Sequence, residues 1–122
     1  MAKKHRILII DDSMETVIGL KDYLGKKYHV LTAYNGRNGI KKYEKNENRI
    51  HLVLTDLILP DVSGSYLISF FKKKTPEMPV IAMTGWEGDP VEDIEASSNA
   101  DVLLKKPFEL EQLDQAIEKF LL

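Results

Sequence analysis

Short apolar runs alternate along this chain with stretches in which apolar residues recur every three or four positions. The runs are Arg6 to Ile10, Tyr28 to Ala33, Ile50 to Thr55, Val80 to Met83 and Asp101 to Lys105. A continuous apolar run of that length, bounded by turn residues, predicts a strand covered on both faces. Helical spacing predicts helices over Met14 to Leu24, Gly39 to Glu47, Ser65 to Lys74 and Glu109 to Leu121, with a short helix opening at Pro90. The first would turn Met14, Val17, Ile18 and Leu24 inward, the second Ile40 and Tyr43. Leu67, Ile68 and Phe71 mark the inner stripe of the third; Leu110, Leu113, Ile117 and Phe120 mark that of the last. Asp12 and Glu15 read as a capping pair, and Asn35-Gly36 as a turn. Lys72, Lys73 and Lys74 read as a solvated helix end, favourable against the helix dipole.

Five strands in strict alternation with five helices predict an α/β fold: a doubly wound (βα)5 domain with a flavodoxin-like parallel sheet. The expected strand order is 2-1-3-4-5, and residues 1–122 are expected to form one domain with no output domain. Ligands of such sheets bind outside the carboxyl ends of the strands, where the strand order reverses. Chemistry is therefore sought just after each run. Asp11 and Asp12 follow the first strand, Asp56 the third, Thr84 the fourth and Lys106 the fifth. The second strand lies at the edge and is followed only by Tyr34, Asn35 and Gly36.

Composition narrows the chemistry. The 122 residues are 43% hydrophobic and 30% charged with a net charge of −2, which predicts a folded domain without a basic footprint for nucleic acid. The absence of cysteine excludes thiolate metal sites and disulfides. No apolar run approaches the roughly 18 residues needed to span a bilayer. The first residues lead straight into a strand without a signal-peptide pattern, so a cytoplasmic location is expected. His5, His29 and His51 show no ligand spacing and receive no function.

Three converging carboxylates repel one another, so a cation must offset them or a pKa must rise. Oxygen ligands alone favour a hard ion: Mg²⁺, with Mn²⁺ as the alternative. Lys106 adds a second positive charge and Thr84 a hydroxyl donor. These are the parts that stabilise the oxygens of a transferring phosphoryl group. A carboxylate can itself be the nucleophile, and Asp56 lies centrally in the array.

At these residues the chain resembles a known family. "IIDDS", "LTDLILPDVSG", "AMTG" and "KKPF", in order and across essentially the whole chain, are similar to the motifs of the receiver (response-regulator) domain of two-component signalling. The resemblance implies Asp56 as phosphoacceptor, Asp12 as direct Mg²⁺ ligand, Asp11 as a ligand mainly through water, and the Ile58 carbonyl as a backbone ligand. It implies Thr84 as the switch hydroxyl, Lys106 as the phosphate partner and a cis Lys106–Pro107 bond. It also implies a phosphohistidine donor on a sensor histidine kinase or phosphotransfer protein. An unnamed downstream protein would read the switch. The expected role is that of a regulator, not a turnover enzyme.

The chain departs from the family at Leu103, where similar proteins carry Tyr or Phe that swings inward as the Thr hydroxyl moves. Lys105 stands where an apolar residue is usual, and Asn99 where Gly is frequent. Trp86 and Ile58 flank the expected phosphate position; two bulky apolar groups there would shield Asp56 from water and slow phosphoryl loss. The moving parts are expected to be residues 85–90, the short polar fourth helix and strand five. Similar domains often dimerise through the fourth helix, strand five and last helix. A receiver-like interaction module that signals without phosphate is the alternative that Leu103 keeps open. A flavin-binding protein would need a hydroxyl- and amide-rich first loop in place of "DDSME", and a Mg²⁺-dependent phosphohydrolase would need a further acid/base residue.

Overall fold

The computed structural model describes residues 4–47, 49–85 and 99–121. The strands are β1 Arg6–Ile10, β2 His29–Ala33, β3 Leu52–Asp56, β4 Val80–Thr84 and β5 Val102–Lys105. The described helices are α1 Met14–Leu24, α2 Gly36–Lys45, α3 Gly64–Lys74 and α4 Leu110–Glu118, the last being the C-terminal helix. The expected helix opening at Pro90 and the loop around Trp86 lie outside the described residues. All strand pairs are parallel, and the sheet order is β2-β1-β3-β4-β5, as the alternation predicts.

Side chains alternate across the sheet, so each central strand feeds two cores. Ile7, Ile9, Leu52, Leu54, Ile81 and Met83 pack with Val17, Leu20, Leu24, Leu113 and Ile117 of α1 and α4. On the other face Leu8, Ile10, Val53, Val80 and Ala82 pack with Tyr43, Leu67, Ile68 and Phe71 of α2 and α3. Every residue of β3 and β4 is buried. Each such Ile, Leu or Val contributes about 1.5–3 kcal/mol of transfer free energy, which is why these runs are apolar throughout. The edge strands β2 and β5 are only partly covered.

Register then sets the site. Ile10 aligns with Thr55, Asp56 with Met83, and Thr84 with Lys105. The carboxyl ends of β1, β3, β4 and β5 are thereby level.

Helix details correct several sequence readings. In α1 the buried stripe is Val17, Leu20 and Leu24, whereas Met14 and Ile18 are 63% and 53% exposed. At 3.6 residues per turn Ile18 lies about 100° around from Val17, so Leu20 takes its place against the sheet. The cap of α1 is Ser13, whose Oγ accepts a hydrogen bond from Thr16 N, and not Asp12 with Glu15. Asn35 is likewise the N-cap of α2, which starts at Gly36; the "NG" pair opens a helix here. Leu110, expected inward in the last helix, is 46% exposed. Lys72 is no free solvated charge: its Nζ lies 2.5 Å from Asp101 Oδ2 and donates to the Met78 carbonyl.

Candidate functional site

Four chain segments deliver the site. Asp11 follows β1 directly, and its amide donates to the carbonyl of Ala33 at the end of β2 (3.1 Å). Its Oδ1 accepts from Ser13 N at 2.9 Å, which turns the chain into α1 and leaves the neighbouring Asp12 exposed. Asp56 is the last residue of β3, with Oδ1 accepting from Ile58 N at 3.1 Å. Lys106 follows β5, its amide bonded to the carbonyl of Thr84, and precedes Pro107 across a cis bond, as the family resemblance implies.

Asp11, Asp12 and Asp56 each offer a carboxylate oxygen within 4.8 Å of the others. Asp11 is fully buried and Asp56 nearly so. The Lys106 ammonium bridges them, 2.7 Å from Asp11 Oδ2 and 3.0 Å from Asp56 Oδ2. One ammonium among three carboxylates leaves the cluster net negative. Burial pushes the Asp56 carboxyl above its ordinary value, and the Asp11 charge adds to this; the Ile58 amide and Lys106 only partly offset them. For Lys106, burial alone would depress the ammonium, but the Asp11 hydrogen bond and the Asp56 charge outweigh it and raise the pKa. The donor set is all oxygen and short of positive charge, which fits a hard divalent cation.

Thr84 is buried at the end of β4, on the strand beside Asp56. Thr16, Gly85, Lys106, Pro107 and Phe108 line an open depression of about 440 Å³ next to the lysine. Ile58 is 49% exposed two residues beyond Asp56, and Leu103 is 46% exposed on the edge strand. The structure thus brings Asp11, Asp12, Asp56 and Lys106 together with Thr84 at the adjoining strand end. Leu103 lies half-exposed on β5, in register with Ala82; Trp86 lies outside the described residues.

Sequence reasoning missed two neighbours of the site. Ser13 had a local signal, since a hydroxyl three residues before Thr16 suits an N-cap. Asp61 stands beside Pro60, where its local signal is only that of a turn residue. Its Oδ1 accepts from Gly36 N at 2.8 Å and its Oδ2 from Arg37 N at 2.9 Å. Those partners are 25 and 24 positions away, beyond the reach of any local pattern.

Comparison with known proteins agrees with this geometry. The model of the response regulator receiver domain matches residues 7–118. The response regulator receiver protein CpdR of Brucella abortus is 31% identical over 119 residues, covering 96% of this chain and 97% of that protein. A receiver domain protein from Clostridium thermocellum superposes with a TM-score of 0.85 at 32% identity, covering 94% of this chain and 92% of its own. The response regulator TrrA of Thermotoga maritima, in complex with Mg²⁺-BeF, superposes with a TM-score of 0.84 at 28% identity, covering 96% and 99%. Other relatives are longer: the chain spans 51% of the transcriptional regulatory protein CiaR of Streptococcus pneumoniae and 9% of histidine kinase P4 of Formosa agariphila. With the fold, the strand-end residues and these matches in agreement, the chain belongs to the response regulator receiver family of two-component signalling.

Proposed function

We propose that this receiver accepts a phosphoryl group on Asp56 and changes its partner surface when it does. The observation that carries the reading is the convergence of three carboxylates within 4.8 Å around a lysine that bridges two of them. The donor would be a phosphohistidine of a sensor histidine kinase or phosphotransfer protein. An Asp56 carboxylate oxygen attacks phosphorus, the P–N bond breaks, and its electron pair returns to the imidazole. Lys106, already 3.0 Å from Asp56 Oδ2, shifts its contact to a phosphoryl oxygen. Thr84, at the end of the adjacent strand, donates its hydroxyl to another. Asp11, Asp12, Asp56 and the Ile58 carbonyl would hold Mg²⁺, which when bound neutralises charge on the phosphoryl oxygens.

Phosphorylation then acts as a population shift between preexisting conformations. Leu103 stands where an aromatic switch residue is usual, and the missing ring is what supports the second reading, a module that signals without phosphate. On the main reading the chain works in the cytoplasm on a separate downstream protein. Among the described residues, no helix is long and apolar enough to cross a membrane. Self-association through β5 and α4 would use the exposed Leu103 and Leu110.

The test is intact-mass analysis after acetyl phosphate treatment, with and without Mg²⁺. Wild-type protein is expected to gain the mass of one phosphoryl group only with Mg²⁺, and Asp56→Ala to gain none. No gain in wild type would overturn the reading in favour of the phosphate-independent module.

A further inference from the structure

The loop after Asp56 is fixed at its roots. Ile58 and Ser63 form an antiparallel bridge, and Ile58 N donates to Asp56 Oδ1. Gly64 closes the loop where nothing larger fits, because a Cβ there would lie 2.4 Å from the Leu57 carbonyl oxygen and 2.9 Å from Leu57 Cα. The tip is held from another quarter. Asp61, itself exposed, spans the first two amides of α2 with both carboxylate oxygens. Val62 seats against Gly36, where a Cβ would come within 2.0 Å of Val62 Cγ2.

Asp61 adds to the cap that α2 already carries, taking up two further amides of its first turn. Asn35 Oδ1 accepts from Asn38 N at 2.8 Å. The second set of acceptors comes from outside the helix, so it constrains the loop as much as the helix. The start of α2 is anchored in turn: Ala33, at the end of β2, accepts the amide of Asp11. A closed circuit results, running from Asp56 through Ile58 and Asp61 to Gly36, back along the β2–α2 junction to Ala33, and across to Asp11. It ties the two sides of the acid cluster to each other.

We propose that Asp61 is a positioning residue for the metal-binding end of this loop, holding Ile58 in place beside Asp11 and Asp56. The clamp sets Mg²⁺ affinity without touching the ion. This inference rests on the reading of the cluster as a Mg²⁺ and phosphoryl site.

The experiment is an NMR titration with MgCl₂, following the amides of Asp12 and Ile58, in the wild type, Asp61→Ala, Asp61→Asn and Asn35→Ala, beside thermal unfolding of each. Asp61→Ala removes both bonds that hold the loop tip to α2 and is expected to weaken Mg²⁺ binding by up to about tenfold, the lower end of the effect of losing a direct partner of a metal ligand. Asp61→Asn, which keeps one acceptor oxygen, should fall between it and wild type, and stands in should the alanine variant not fold. Asn35→Ala removes the helix's own cap and should lower the melting temperature while leaving Mg²⁺ affinity unchanged. Unchanged affinity in the Asp61 variants, or equal weakening in Asn35→Ala, would overturn the clamp. Failure of wild type to bind Mg²⁺ or to gain a phosphoryl group would instead overturn the functional reading beneath it.

Discussion

The two ends of the sheet both carry charged side chains out of full solvent, yet they treat them differently. At the amino end Asp101 and Lys72 satisfy each other. Asp101 Oδ2 meets Lys72 Nζ and also accepts from Val80 N at 2.8 Å, while Lys72 donates to the Met78 carbonyl at 3.0 Å. This end closes the C-terminus of α3 onto the start of β4. At the carboxyl end one lysine is shared between two carboxylates and a third lies beside them. A fold under selection for stability alone would not leave buried carboxylates in excess, because uncompensated buried charge is expensive. Balanced charge marks a joint; imbalance, on the function proposed above, marks a place kept ready for a cation and a phosphoryl group.

Removing a lysine from each end is the largest test of that contrast. Lys106→Met leaves Asp11 and Asp56 buried without their cation and is expected to destabilise the metal-free protein by about 3 kcal/mol. Lys72→Met breaks a pair whose side chains are 24% and 32% exposed, and should cost about 1 kcal/mol. Urea unfolding in EDTA measures both. Equal losses would mean that the carboxyl end is an ordinary ion-pair network. Added Mg²⁺ should restore part of the Lys106→Met loss and none of the Lys72→Met loss.

A subtler test uses Asp56 itself. Burial raises its folded pKa above the ordinary value of 3.8, so the folded state holds this proton more tightly than the unfolded chain. Stability from this group is therefore fully present below the unfolded pKa and is lost as pH rises through the folded one. Asp56→Asn should remove that cost, raising the melting temperature of the metal-free protein at neutral pH and narrowing its advantage as the buffer is acidified. Mg²⁺ should act in the opposite sense, stabilising wild type at neutral pH and losing its grip in acid as Asp56 takes up its proton. A variant no more stable than wild type in EDTA would sink the charge-excess argument.

The contrast also shows what a sequence discloses. The central strands were legible because burial on both faces demands unbroken apolar runs, as in Ile7 to Ile10 and Leu52 to Leu54. Once strand order was inferred, the strand-end rule placed Asp11, Asp12, Asp56, Thr84 and Lys106 together. Helix faces were less legible: an apolar residue such as Ile18 satisfies helical spacing while lying outside the arc that meets the sheet. Least legible were the polar ties made at long range. The bond from Asp61 to Gly36, and the pairing of Lys72 with Asp101, join residues whose neighbours in sequence carry no trace of the partner.

The smallest expected effect sits again at the amino end. The His5 and His51 rings meet edge to face with centroids 4.9 Å apart, and Arg6 N donates to His51 Nδ1 at 2.9 Å. A protonated imidazole has no acceptor left for that amide. Partial burial, with the positive charges of His5 and Arg6, holds the His51 pKa below 6.5. Because the folded value is the lower one, the contribution of His51 is present above the unfolded pKa and lost as pH falls through the folded pKa. His51→Asn offers an amide oxygen to Arg6 N but cannot titrate. It should match wild type at neutral pH and decline less between neutrality and pH about 5, measured by melting temperature across that range. A variant that follows the wild-type slope would show that the acid sensitivity of this end arises from other groups, with His51 serving only as a neutral acceptor.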